Sequence, residues 1–250
     1  MANVCLTLQY VGTRYHGWQV QPNGITVQET LQDAIERVTG IRSAVTGCSR
    51  TDAGVHARRF YCTTAQPQRL SDEKFVQALN AVLPEDIAVL CSRAVSDEFH
   101  PRYSAVAKRY VYRIWNGKVR NPFEQGLSLH LRSPLDETRM NEVAQLFVST
   151  HDFSAFCSAG STVQDKVRTI CRSEVKREGN VILYTVEADG FLYNMVRILV
   201  GTILDVTAGR LTFESVRRAL ETGDRSCAGT TASACGLYLD EVWYREEGES

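Results

Sequence analysis

Val4-Cys-Leu-Thr-Leu-Gln-Tyr10 and Thr26-Val-Gln-Glu29 are the stretches from which the fold is read. The first alternates apolar and polar residues among β-formers, the period of a half-buried strand, and ends at Gly12. The second is a capping box, in which the Thr26 side chain satisfies the N–H three residues on. Val27, Leu31, Ala34, Ile35 and Val38 then recur at helical spacing until Gly40 closes the helix. Further on, strands are expected near 44–48 and 59–64. A second helix starts at Ser71, carries Phe75, Val76, Leu79 and Val82, and stops before Pro84; a strand follows at 87–95.

This order, βαββαβ, is that of the ferredoxin-like unit, with two helices on one face of a four-stranded antiparallel sheet. After Phe99-His-Pro-Arg102 the order begins again. A strand at 107–115 precedes a helix from Asp136 through Met140, Val143, Ala144 and Phe147. Strands at 167–176 and 181–188, helices at 191–206 and 212–221, and a final strand at 236–243 complete it. The expected fold class is α+β: two ferredoxin-like units with antiparallel sheets joined around a central cleft. Residues 1–104 form the first unit and 105–250 the second, which completes the cleft. A β face with a cleft suits RNA, although the same order serves many unrelated functions.

A chain of 250 residues, 44% hydrophobic and 23% charged, has the composition of a globular protein and not of a disordered one. Met1-Ala-Asn-Val-Cys5 lacks the basic-then-apolar pattern of a secretory signal. The longest uncharged apolar run, Ile198 to Leu204, is far short of the roughly 20 residues a membrane span needs. A cytoplasmic protein with no membrane partner is expected. The eight cysteines form no C-x-x-C pair and no His/Cys cluster of metal spacing, so reduced structural thiols and no metal are expected.

The net charge of −1 supplies no overall attraction for nucleic acid, so any RNA site must come from local clusters of the 28 basic residues. Four such clusters occur: Arg50, His56, Arg58 and Arg59; Lys108, Arg109 and Arg113; Lys118 and Arg120; Lys166, Arg168 and Arg172. Each also reads as a solvated face.

Three segments carry the chemistry. Gly47-Cys-Ser-Arg50-Thr-Asp52-Ala-Gly54-Val-His56-Ala-Arg58 lies between two strands, and Gly54 permits a sharp turn that holds the Asp52 carboxylate at a loop tip. Composition alone reads it as a surface turn with an Asp cap. Arg197 stands in a helix apolar on nearly every face, and a guanidinium buried there needs a partner. Asp52, Asp189 and Asp205 are all candidates. In Lys108-Arg-Tyr110-Val-Tyr112-Arg113 the alternation puts Tyr110 and Tyr112 on one face, where a tyrosine can stack on an unstacked base or serve the core.

Together these segments resemble the tRNA pseudouridine synthase A family. The resemblance rests on Arg50-Thr-Asp52-Ala-Gly54-Val-His56-Ala, Arg109-Tyr110-Val-Tyr112, Met195-Val-Arg197 with Val200-Gly201, and Gly236-Leu-Tyr-Leu239. Tyr15-His-Gly-Trp18-Gln19 and Phe99-His-Pro-Arg-Tyr103-Ser-Ala add to it, and it runs from Leu6 to Tyr244. Ser49 departs from it, standing where the family often has a second glycine. The resemblance implies that Asp52 is the nucleophile, that Tyr110 contacts the target base, that Arg197 partners the Asp52 carboxylate and that Arg50 helps displace the base. It also implies a homodimer, without metal or small-molecule cofactor, that isomerises uridines at positions 38, 39 and 40 in the anticodon stem-loop of tRNA. A carboxylate suits that reaction either as a nucleophile at C1′ or through a glycal-like route. A non-catalytic RNA-binding module and a base-exchanging transglycosylase or nucleosidase are the rival readings.

Overall fold

The computed structural model describes residues 2–66 and 70–245. The chain packs as two compact units, Met1–Val106 with Tyr238–Ser250, and Ala107–Leu237. In the first, β1 (Ala2–Tyr10) lies between β3 (His56–Gln66) and β4 (Ile87–Ala94), antiparallel to both. Val4, Leu6, Leu8 and Tyr10 are buried as the alternation predicts, but Cys5 and Thr7 between them are buried too, so this strand, paired on both edges, is covered on both faces and is not the half-buried strand expected. The helices α1 (Val27–Thr39) and α2 (Asp72–Asn80) bury the stripes Val27, Leu31, Ala34, Ile35 and Phe75, Leu79. Both start at the residues expected: the Thr26 and Ser71 side chains accept from the N–H groups of Glu29 and Lys74. Gly40 closes α1 in the left-handed conformation, at φ 77°.

β2 (Thr46–Gly47) pairs antiparallel with β3, so the strands run β4-β1-β3-β2, the order of a ferredoxin-like unit. β2 is shorter than the five residues expected. The carbonyls of Ser43 and Val45 accept from the side-chain amides of Gln32 and Gln28 on α1, which takes the approach to β2 away from a strand ladder. β10 (Leu237–Tyr244), expected in the second unit, pairs in parallel with the other end of β3, Tyr238 opposite His56 and Leu239 opposite Ala57.

In the second unit β5 (Ala105–Trp115) pairs antiparallel with β9 (Val181–Ala188), and β9 with β8 (Val167–Glu178). The short β7 (Ser149–Asp152) adds to β8, and β6 (Leu129–His130) runs parallel to β5; the sequence patterns showed neither. Three helices complete the unit, α3 (Glu137–Gln145), α4 (Met195–Thr207) and α5 (Phe213–Thr222), and α3 and α5 follow the patterns closely. Asp136 and Thr212 cap α3 and α5. The largest departure is at α4, which begins at Met195 and not at Phe191, because Asn194 takes the left-handed conformation at φ 59°. The class is α+β, with mostly antiparallel sheets.

Thr26 is fully buried, and its hydroxyl is the cap of α1. Thr26→Ala should lower the unfolding free energy in urea by about 1 kcal/mol, and Thr26→Ser should recover most of it.

Candidate active site

Asp52 lies on the loop between β2 and β3, half-buried, and the backbone around it is held from several directions. The Val55 N–H donates to the Asp52 carbonyl at 3.1 Å and closes the turn, with Gly54 at φ 78°. The Gly54 N–H donates to the Tyr15 carbonyl at 3.2 Å, and the Trp18 N–H donates to the Thr51 carbonyl at 3.1 Å. The buried Thr51 hydroxyl lies 2.8 Å from the Tyr10 hydroxyl on β1. Gly17, at φ 87°, lets the two segments approach so closely that a Cβ there would sit 2.5 Å from the Thr51 carbonyl oxygen.

The segment behind the loop is itself anchored. The Tyr15 hydroxyl donates to Asp86 at 2.7 Å, and Arg14 pairs with the same carboxylate at 2.7 Å. Burial, with the neighbouring Asp86 carboxylate, pushes the Tyr15 phenol up to about 12, so it remains a donor at neutral pH. The Trp18 indole stacks on Phe60 of β3, ring centroids 4.0 Å apart. Nothing in the sequence assigns a role to Tyr15-His-Gly-Trp18. Its place is behind the Asp52 loop.

Arg50 is exposed two residues before Asp52. The rest of that basic cluster differs from expectation. His56 is fully buried, and its Nδ1 accepts the Gly12 N–H at 2.9 Å, so it adds no surface charge. Arg58 and Arg59 face Asp240 and Glu241 at 3.6 and 3.3 Å. In the second unit strand register places Glu187 opposite both Arg109 and Arg172, which it pairs at 3.3 and 2.9 Å; Arg113 pairs with Glu124 at 3.0 Å. The clusters are interleaved with carboxylates that lie far away in sequence. Lys118 and Arg120 are exposed, while Lys166 and Arg168 are half-buried.

Tyr110 lies on β5 opposite Val186, buried, with its ring edge-on to Phe191 at 4.9 Å. Tyr112 shares its face, as alternation requires, and its hydroxyl donates to the Ser233 carbonyl at 2.7 Å. Burial pushes that phenol well above its ordinary range. Arg197 is half-buried in the first turn of α4. Its Nη1 donates to Asn194 Oδ1 and its Nε to the Ala232 carbonyl, each at 2.7 Å, and the Ala232 N–H donates back to the Arg197 carbonyl at 3.0 Å.

The loop that supplies Ala232 is docked on α4 along its length. The Gly229 N–H donates to Thr202 Oγ1 at 2.8 Å and the Thr230 N–H to Asp205 at 2.9 Å. A Cβ on Gly201 would lie 1.7 Å from the Thr230 carbonyl oxygen. Asp205 also takes Arg210 at 2.9 Å, and Asp189 accepts the Thr169 N–H at 3.1 Å, so both carboxylates weighed as partners of Arg197 serve other groups. Arg50 and Asp52 thus share one loop of the first unit. Tyr110 and Arg197 belong to the second, where residues 232–233 are bonded both to α4 and to Tyr112. Asn194 went unnoticed in the sequence, where its only signal is that asparagine tolerates the left-handed region.

A family model described as tRNA pseudouridine synthase matches residues 7–104 and 143–245. The chain belongs to that family. Among similar proteins is the tRNA pseudouridine synthase A of Clostridium kluyveri, 44% identical over 244 residues that cover 98% of this chain and all of that one. Those of Thermoanaerobacter sp. strain X514 and Acetivibrio thermocellus are 43% and 42% identical over the same shares. The family is one of isomerases. Arg50, Asp52 and Arg197 fall in the segments that its model matches, and Tyr110 falls between them. Among the described residues no helix is long and apolar enough to cross a membrane.

Because the Asp52 loop rests on Gly17, Gly17→Ala should displace it while leaving the fold intact. Turnover in the family's reaction is expected to fall by ~tenfold or more. An unchanged circular dichroism spectrum alongside the kinetics will separate displacement from unfolding.

Proposed function

We propose that this protein isomerises uridine to pseudouridine at positions 38, 39 and 40 in the anticodon stem-loop of tRNA, with Asp52 as the nucleophile. It acts in the cytoplasm as a homodimer and uses neither metal nor small-molecule cofactor. The observation that carries the reading is a carboxylate on a loop whose backbone is held by the Tyr15–Trp18 segment, in a chain that belongs to a pseudouridine synthase family. Relatives named tRNA pseudouridine synthase A, matched along their whole length, support tRNA as the substrate.

The reaction needs no redox partner. The N1–C1′ bond breaks, the uracil turns, a C5–C1′ bond forms, the C5 proton leaves and N1 gains a proton. The ionised Asp52 carboxylate serves by attacking C1′, which holds the ribose as an ester while the base turns, or by assisting a glycal-like departure. Either route requires the uridine out of its stack. Arg50, exposed beside Asp52, is suited to displacing it. Tyr110, its ring steadied by Phe191, is suited to contact the extruded base. Arg197, its plane fixed by Asn194 and Ala232, is a charged donor of set direction.

Asp52→Asn should abolish pseudouridine formation, scored by mass spectrometry of modified tRNA, with tRNA affinity within a few-fold of wild type. Turnover within tenfold of wild type would sink the assignment. Arg197→Lys keeps the charge and loses the planar fork, so turnover should fall substantially without loss of fold. Release of free uracil in place of a retained base would favour a nucleosidase.

A further inference from the structure

Asn194 is the one non-glycine with positive φ among the described residues, at φ 59° and ψ 8°. It is placed as the N-cap of α4, yet its side chain makes no capping bond to the helix. Its carboxamide reaches two side chains. Oδ1 accepts from Arg197 Nη1 at 2.7 Å, and Nδ2 donates to Ser158 Oγ at 3.0 Å. The orientation of the amide is therefore determined, because the opposite flip would set an NH2 group against a guanidinium. The Ser158 N–H donates to the Tyr193 carbonyl at 3.0 Å, which fixes the far end of the bridge to the same turn.

An asparagine that leaves its capping function unused, accepts an unfavourable backbone and spends both ends of its amide on one arginine and one serine is placed for the arginine. Backbone strain of this kind persists only where surrounding contacts over-determine it, and it collects at functional sites. A left-handed residue immediately before Met195 also stops α4 from beginning at Phe191, which leaves Phe191 free to pack edge-on against Tyr110. One backbone choice thus serves both Tyr110 and Arg197, the two residues of this unit to which a role is proposed.

We infer that Asn194 is a positioning residue: it aims the Arg197 guanidinium, and Ser158 holds it in place to do so. This rests on the role in turnover proposed for Arg197. Glycine accepts the same backbone without strain but has no amide, and aspartate keeps an acceptor oxygen in the same place.

The test compares Asn194→Gly, Asn194→Asp and Ser158→Ala in the full chain, with tRNA as substrate. Asn194→Gly should melt within a few degrees of wild type, keep its tRNA affinity within about twofold, and lose ~tenfold in kcat. Asn194→Asp should recover most of that loss, and Ser158→Ala should show a smaller loss of the same kind. In an Arg197→Ala background, Asn194→Gly should cost nothing further, because it acts through a side chain already removed. Wild-type kcat in Asn194→Gly, no advantage of aspartate over glycine, or full additivity with Arg197→Ala would each overturn the inference. Failure of the functional reading looks different: the wild-type protein itself would then form no pseudouridine in tRNA.

Discussion

The Thr51 carbonyl accepts the Trp18 N–H, and on that contact depends where Asp52 can be. A carboxylate at the end of a loop serves chemistry only if the loop holds still, since small displacements of a reacting group cost large factors in rate. Here the stillness is supplied by backbone geometry more than by charge. Gly17 lets one segment lie against the other, the Tyr15 carbonyl accepts the Gly54 N–H, and Trp18 on Phe60 ties the support to β3. Asp86 then secures the support through Tyr15 and Arg14. The Arg14 guanidinium is well exposed, so of these two contacts the hydrogen bond from buried Tyr15 carries more of the stability.

The second unit solves a similar problem with different parts. Arg197 stands on a helix, which is rigid, but its side chain is long, and a long side chain loses much rotamer freedom when fixed. Bonds at Nε and Nη1 fix the guanidinium plane. One of those acceptors belongs to a loop that has no regular structure before residue 234, and this loop is held by Thr202, Asp205 and the absence of a Cβ at Gly201. Asp205 is nearly buried, with each carboxylate oxygen engaged, one by Arg210 and the other by Thr230. A buried charge satisfied this completely stiffens its surroundings, where a half-satisfied one would destabilise them.

What was legible in the sequence follows from how local each signal is. The caps Thr26, Ser71, Asp136 and Thr212 act over three residues, and all four helix starts were placed correctly. Strand alternation at β5 is likewise local, and Val181–Ala188 matched to the residue, whereas the burial of Cys5 and Thr7 on the polar side of β1 comes from packing that the alternation does not carry. β2 was overestimated because the carbonyls before it bond to glutamines on α1, a contact that no strand pattern contains. The start of α4 was misplaced for a related reason: Phe191 and Leu192 continue the apolar pattern, and only the backbone of Asn194 interrupts it. At the site, the Asp52 loop stood out through its glycines and charges. The Tyr15–Trp18 support and the Ala232 loop are long-range contacts, and spacing carries no trace of them.

The basic clusters show the same limit with a physical consequence. Counted along the chain they look like positive patches, but β-sheet register sets Glu187 between Arg109 and Arg172, and β10 brings Asp240 and Glu241 to Arg58 and Arg59. Ion pairs whose arginines are more than half exposed, as at Arg58 and Arg59, contribute little to stability, because solvent already screens them. A phosphate that displaces such a carboxylate therefore gives up little stability. A chain of net charge −1 arranged in this way attracts polyanions weakly at a distance, so its arginines act on a phosphate only at close range, where these pairs can be exchanged.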